Sequence, residues 1–311
     1  MEKQPPSTFR SVGGGVTAIS TSSLSRPLAD DYAAGAFHSY ADVVAGVIAV
    51  MRERLTEPWT LDEVSRIAHL SPFHFSRIFR RVTGVPPFKF LAALRMVEAR
   101  RLLLTTEMSV TEVCLDVGYR SLGTFTTHFR QLVGVGPRRL RRLAAAYGHV
   151  PLAVLCEDAP ASVVDEPGVR LLIELAPSDR RDRVVFAGLF PTPLPQTRPS
   201  ACAVPTLPTA ALLAGPVPGP WYALASAYDG AADAFGALLA GEEDVRVGVA
   251  GPLLLGEPPA IPSVPLRLRP PAAVDPPILL ALPLVLAEAA AAMERPPARA
   301  RTQSVAGASV A

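Results

Sequence analysis

Between Glu63 and Pro137 the chain contains the same pattern twice. Glu63-Val64 recurs as Glu112-Val113, an offset of 49, and Phe75, Phe79, Gly84, Val85 and Pro87 recur as Phe125, Phe129, Gly134, Val135 and Pro137, an offset of 50. One residue is inserted at the turn between. Each copy reads as a short helix, a tight turn near Leu70-Ser71 or Gly118-Tyr119, and a second helix, which is the helix-turn-helix plan.

Local signals set the ends of these helices. Thr60 followed by Glu63 is a capping box, and Ser109 with Glu112 repeats it. Ser71-Pro72 is an N-cap followed by proline at the first helical position, and Ser121 opens another amphipathic run. Gly84 and Gly134 stand where a helix-closing glycine belongs. In Pro72–Thr83 the residues Phe75, Ile78, Phe79 and Val82 recur at helical spacing and face inward. The opposite face carries Phe73, His74, Ser76, Arg77, Arg80 and Arg81. In Leu122–Val133 the inward set is Phe125, Phe129 and Leu132, and the outward set is Leu122, Gly123, Thr124, Thr126, Thr127 and Arg130.

A helix of roughly 20 residues, about Pro87 to Thr106, joins the copies and spans on the order of 30 Å. One turn of B-DNA is about 34 Å. A rigid spacer of that length can set both second helices into successive major grooves on one face of a duplex. Charge agrees with this partner. Asp42–Ala146 holds 16 Lys/Arg against 9 Asp/Glu, whereas the residues from Tyr147 onward hold 11 against 16. Alone, Arg77, Arg80 and Arg81 would read as an ordinary solvated face. On the second helix of a repeated helix-turn-helix they read as DNA contacts.

The texture changes after His149. Seven short apolar runs lie between Pro/Gly clusters: Val169–Leu175, Val184–Phe190, Ala201–Val204, Ala210–Leu213, Trp221–Ala225, Val245–Val249 and Val264–Leu268. Such spacing predicts an all-β sandwich or barrel. The expected organisation is thus multidomain: a flexible arm over 1–38, an all-α double helix-turn-helix (homeodomain-like) domain over 40–146, an all-β sandwich-like domain over 165–270, and a Pro/Ala-rich, partly disordered tail over 271–311. That tail is expected to hold a short helix near Leu284–Met293.

The helical block resembles the AraC/XylS family of bacterial transcription regulators over roughly 100 residues, about a third of the chain. TLDEVSRIAHLSPFHFSRIFRRVTGVPPFKFL is similar to the family's first module. RMVEARRLLLTTEMSVTEVCLDVGYRSLGTFTTHFRQLVGVGPRRLRR is similar to its linker helix, second module and closing segment. The resemblance implies reading of two adjacent major-groove segments and control of transcription near the bound site, with double-stranded DNA and RNA polymerase as partners. Carried over by position, base contact falls on Phe73, Ser76 and Arg77 in the first module and on Leu122, Gly123, Thr126 and Thr127 in the second. Leu122, Gly123 and Thr127 are poor bidentate readers of bases. The first module is therefore expected to carry most of the specificity. The second would position the protein through phosphate contacts from Thr124, Thr126 and Arg130.

Family members often carry an effector-binding domain before the helical block. Here a short arm precedes it and about 160 residues follow. In that region VVFAGLFPTPLPQTRPSACAVPTLPTAALLAGPVPGPWYALASAYDG is similar to sandwich modules of the carboxypeptidase-regulatory or prealbumin type, with Pro220-Trp221-Tyr222-Ala223-Leu224 echoing their G-x-Y-x-L strand. This implies a binding or structural module, a place for a small-molecule effector or a protein partner.

Other residues have plainer readings. Cys114 lies on the apolar stripe Val110, Val113, Cys114 and Val117 and reads as a buried thiol. Gly118 serves the turn through positive φ. His128 packs, His74 either packs or touches phosphate, and Trp221 and Tyr222 either fill the sandwich core or stack on a ligand. Cys202 is an alternative oxidant sensor. Three widely spaced cysteines fit neither a disulfide framework nor a zinc site and suit a reducing cytoplasm. No signal peptide and no uncharged run of membrane-spanning length is expected. The sequence holds no Gly-rich phosphate loop, G-x-S-x-G or H-E-x-x-H, so neither an enzyme nor a cofactor is expected. The alternatives are a DNA-repair accessory and a protein that binds DNA without sequence preference.

Overall fold

The computed structural model describes residues 31–157, 168–176, 179, 183–195, 199–205, 210–214, 219–241, 243–255 and 262–293. Most of the expected arm and the chain after Met293 lie outside them. Helix α1 (Asp31–Glu53) starts nine residues before the predicted helical onset at Tyr40. The residues to Ser39 and those from Tyr40 onward belong to separate compact units, and all that follows concerns the second.

Both helix-turn-helix units form where the repeat predicts. In the first, α2 (Leu61–Ile67) leads into α3 (Pro72–Thr83). In the second, α5 (Val110–Asp116) leads into α6 (Leu122–Val133). Thr60 and Ser109 both accept from the backbone N–H three residues on, while Glu63 and Glu112 accept from the cap's own N–H at 2.7 Å, so each capping box is complete. Gly84 (φ 79°) and Gly134 (φ 85°) close α3 and α6 in the left-handed region. The turns match as well. His69 (φ 53°) and Gly118 (φ 81°), 49 residues apart, occupy the one left-handed position that each turn needs. Phe75, Phe79, Phe125 and Phe129 are fully buried, and the Phe75–Phe79 and Phe125–Phe129 rings sit 5.5 and 5.7 Å apart.

Helix α4 (Pro87–Thr105) runs unbroken for 19 residues between the units, about 28 Å at 1.5 Å per residue. It is apolar around much of its circumference, burying Phe90, Leu91, Ala93, Leu94, Met96, Ala99, Leu102 and Leu103, as a helix packed on several sides must. Helix α7 (Pro137–Tyr147) packs against it, and α8 (Leu152–Glu157) follows.

All seven predicted runs are strands. They are β1 (Gly168–Glu174), β2 (Arg183–Phe190), β3 (Ala201–Ala203), β4 (Ala210–Ala214), β5 (Gly219–Asp229), β6 (Arg246–Leu255) and β7 (Ser263–Arg267). They make two sheets, ordered β4-β1-β7 and β3-β2-β5-β6. The second is antiparallel throughout, whereas β1 and β7 pair in parallel. Val169, Leu171 and Leu266 from one sheet share a buried cluster with Val185, Leu189 and Ala225 from the other. The region is β-rich rather than all-β, since α9 (Ala234–Leu239) lies between β5 and β6; α10 (Leu282–Met293) follows the strands.

The two regions join in one continuous core. Val184 and Phe186 of β2, Ala234 and Leu238 of α9, and Leu279, Ala281, Leu284 and Ala287 around α10 belong to the same buried cluster as the helix-turn-helix phenylalanines. Backbone bonds pin α9 to the end of α7: Ala234 N–H donates to the Val150 carbonyl at 3.0 Å and Phe235 N–H to that of Gly148 at 2.8 Å. Arg139 of α7 meets Glu288 of α10 at 2.5 Å. A helix lies near Leu284–Met293, where the sequence places one in the tail, and what covers it was not legible there. Alternating apolar side chains show that a face is buried, not what covers it.

Candidate nucleic-acid interface

The outward faces of α3 and α6 are built by their caps. Ser71 and Ser121 end their turns in extended backbone and accept from His74 N–H and Thr124 N–H, which starts each helix with its N-terminal turn in the open. There Phe73 is 81% and Leu122 45% exposed, large apolar side chains left without a cover. Arg77, Arg80 and Arg81 are exposed on α3, as are Gly123, Thr124, Thr126, Thr127 and Arg130 on α6, while Ser76 and His74 are partly buried. Free N–H groups and the positive end of the helix dipole make such termini suited to phosphate.

Three of the predicted residues have further partners. The His74 ring meets Tyr40 of α1 edge-on at 5.9 Å, so packing occupies one side of it. The Thr124 hydroxyl donates to Ser121 Oγ at 3.2 Å and would have to turn to reach a phosphate. Arg81 borders a cavity against Pro193 and Tyr222 of the β-rich region, set apart from the N-terminal end of α3. His128 packs as expected, its Nδ1 3.1 Å from Tyr119 Oη.

The basic surplus is only partly available to a polyanion. Arg95 of α4 donates to the carbonyls of Leu55 and Glu57 at 2.7 and 2.8 Å and lies under the Tyr119 ring. Burial lowers its pKa. Burial also pushes the Tyr119 hydroxyl up to about 12, against the opposing pull of Arg95. Arg141 donates to the carbonyls of Leu103, Thr106 and Met108, tying α7 to the end of α4. These arginines hold the frame. Conversely, Arg120 is exposed immediately before the Ser121 cap, a cation beside the α6 terminus that the face-by-face reading left out because it precedes the helix.

The β-rich region touches the opposite ends of these helices. Pro193 lies against Gly84 at the end of α3. Leu280 lies against Gly134, and Ala281 N–H donates to the Val133 carbonyl at 2.9 Å, satisfying an orphan acceptor at the end of α6. The C-terminal ends are thus held and the N-terminal ends stay open.

Residues 64–143 match the family described as a helix-turn-helix domain. They are an AraC-type helix-turn-helix domain. The Uncharacterized HTH-type transcriptional regulator YobQ of Bacillus subtilis is 34% identical over 104 residues, 33% of this chain and 41% of that protein. The HTH-type transcriptional regulator GbdR of Pseudomonas aeruginosa is 32% identical over 96 residues, 31% of this chain and 26% of that protein. The chain therefore spans less than half the length of these relatives. Among solved structures, the DNA-binding domain of AdpA in complex with a target DNA is 35% identical, covering 33% of this chain and 93% of that one, with a TM-score of 0.32. Among the described residues no helix is long and apolar enough to cross a membrane.

Proposed function

We propose that this protein is a sequence-specific DNA-binding transcription regulator that reads two adjacent major-groove segments, one with α3 and one with α6. The observation that carries the reading is the pair of capped helices with open N-terminal turns, joined by the unbroken α4. Phe73, Ser76 and Arg77 read base edges. Leu122, Gly123, Thr126 and Thr127 face the second groove, where an apolar side chain and small hydroxyls favour thymine methyl contact and phosphate over bidentate reading. Arg80, Arg130 and Thr124 grip the backbone, and His74 and Arg81 lie at the margin of the contact.

In this reading 40–146 is the DNA-binding unit and 165–270 a sandwich-like module that serves as a binding or structural element rather than a catalyst. The protein works in the cytoplasm beside the nucleoid, with RNA polymerase as its partner at the bound site. The decisive experiment selects bound sequences from random DNA with the full chain, then titrates salt on the winner and on a scrambled duplex. A regulator keeps an affinity ratio of about a thousandfold or more. A ratio near one, at any salt, means DNA binding without sequence preference and ends the proposal.

A further inference from the structure

A cavity of about 340 Å³ lies between the spacer α4 and the β-rich region. Leu94, Val97 and Arg100 of α4 form one wall, and Tyr228, Val247 and Ile278 contribute to the other. Its size suits a small organic molecule. Its charges are unevenly satisfied. Both carboxylates on its lining are engaged elsewhere: Glu98 is held by Arg101 through two bonds of 2.6 and 2.9 Å, and Asp275 by Arg269 through two of 2.6 and 2.8 Å. Arg100 is not so matched. Among the described residues it has no carboxylate partner, and its one hydrogen bond is a long 3.4 Å contact to the Ile278 carbonyl. Burial lowers its pKa, the sign of a cation short of compensation. A guanidinium presents five donors in a planar fork that suits a carboxylate.

We propose that this cavity binds a small monocarboxylate with an apolar body, the carboxylate on Arg100 and the body against Leu94, Val97, Ile278 and the Tyr228 ring. The site can act on DNA binding. Ile278 is three residues from Ala281, which bonds the last residue of α6, and two from Leu280, which touches Gly134. A ligand that draws Arg100 away from the Ile278 carbonyl loads the segment that holds the second reading helix. This regulatory half rests on the proposed function; the binding half does not.

The test follows thermal unfolding of the full chain without DNA, with millimolar benzoate, phenylacetate or octanoate, and with benzamide and inorganic phosphate as controls. At least one carboxylate is expected to raise the melting temperature by about 2–4 °C while both controls leave it unchanged. Arg100→Met should lose that response, and so should Val97→Phe, which fills the cavity and leaves the cation in place. No shift with any carboxylate, equal shifts with benzamide, or a full response in both variants overturns the site. DNA affinity is then measured with and without the stabilising carboxylate. A change of about fivefold or more is expected from ordinary coupling between sites; unchanged affinity overturns the regulatory half alone.

Discussion

At the turn of each unit a single residue sits in the left-handed region, and the two copies meet that demand differently. Gly118 has no alternative: an added Cβ would stand 2.8 Å from the Thr56 backbone, and positive φ is strained for any side chain. His69 bears the strain with a side chain. Gly118→Ala is therefore expected to lower unfolding free energy by more than about 1 kcal/mol, while His69→Gly stays within about 0.5 kcal/mol, because relief of strain offsets the greater freedom of the unfolded chain; urea unfolding measures both. The arginines separate by role. Arg77→Ala should cost roughly 1–3 kcal/mol on the preferred site and relax one base preference. Arg130→Ala should weaken all sequences alike and reduce the salt slope by about one. An unchanged sequence preference in Arg77→Ala would remove α3 as the reading helix. The residue-level pattern was legible because a phenylalanine repeat at helical spacing fixes which side faces out. What Arg95, Arg141 and His74 do was not, since a basic or aromatic side chain carries no mark of whether backbone carbonyls or a tyrosine ring lie within its reach.

The short helices α2 and α5, seven residues each, depend on their caps. Hydrogen bonds from the Thr60 and Ser109 caps hold the Glu63 and Glu112 carboxyls below their ordinary value of 4.5. A carboxyl with a depressed folded pKa stabilises the fold above the unfolded value and loses that contribution as pH falls through the folded one. Stability should thus decline below about pH 4.5, and the double variant Glu63→Gln and Glu112→Gln should flatten that limb of a pH-dependent melting curve. For the strands, alternation and Pro/Gly punctuation located all seven. The signal for what covers them was present in one place. Val184–Phe190 is continuously apolar rather than alternating, and β2 is buried along almost its whole length, one face against the other sheet and one toward the helical block. A continuous run marks a strand covered on both faces, but nothing local says that the second cover is a DNA-binding domain.

On the scale of the molecule, the β-rich region braces the helical block. Its segment 279–288 contributes to the shared core, caps α6 through Ala281 and pairs Glu288 with Arg139 of α7. Leu284 is fully buried there, so Leu284→Ala should cost about 2–5 kcal/mol. Because the core is continuous, calorimetry should show both regions melting together at a lower temperature, not one transition shifting while the other stays. The brace holds the C-terminal ends of α3 and α6 and leaves Phe73 and Leu122 in the open, the arrangement that the proposed reading of a duplex by both helices needs. The most direct measurement of that arrangement is methylation interference on the selected DNA site with the full chain bound. Two patches of guanines whose methylation at the major-groove N7 blocks binding, centred about 10 base pairs apart on one face, are the expected result. A single patch, or two on opposite faces, contradicts it.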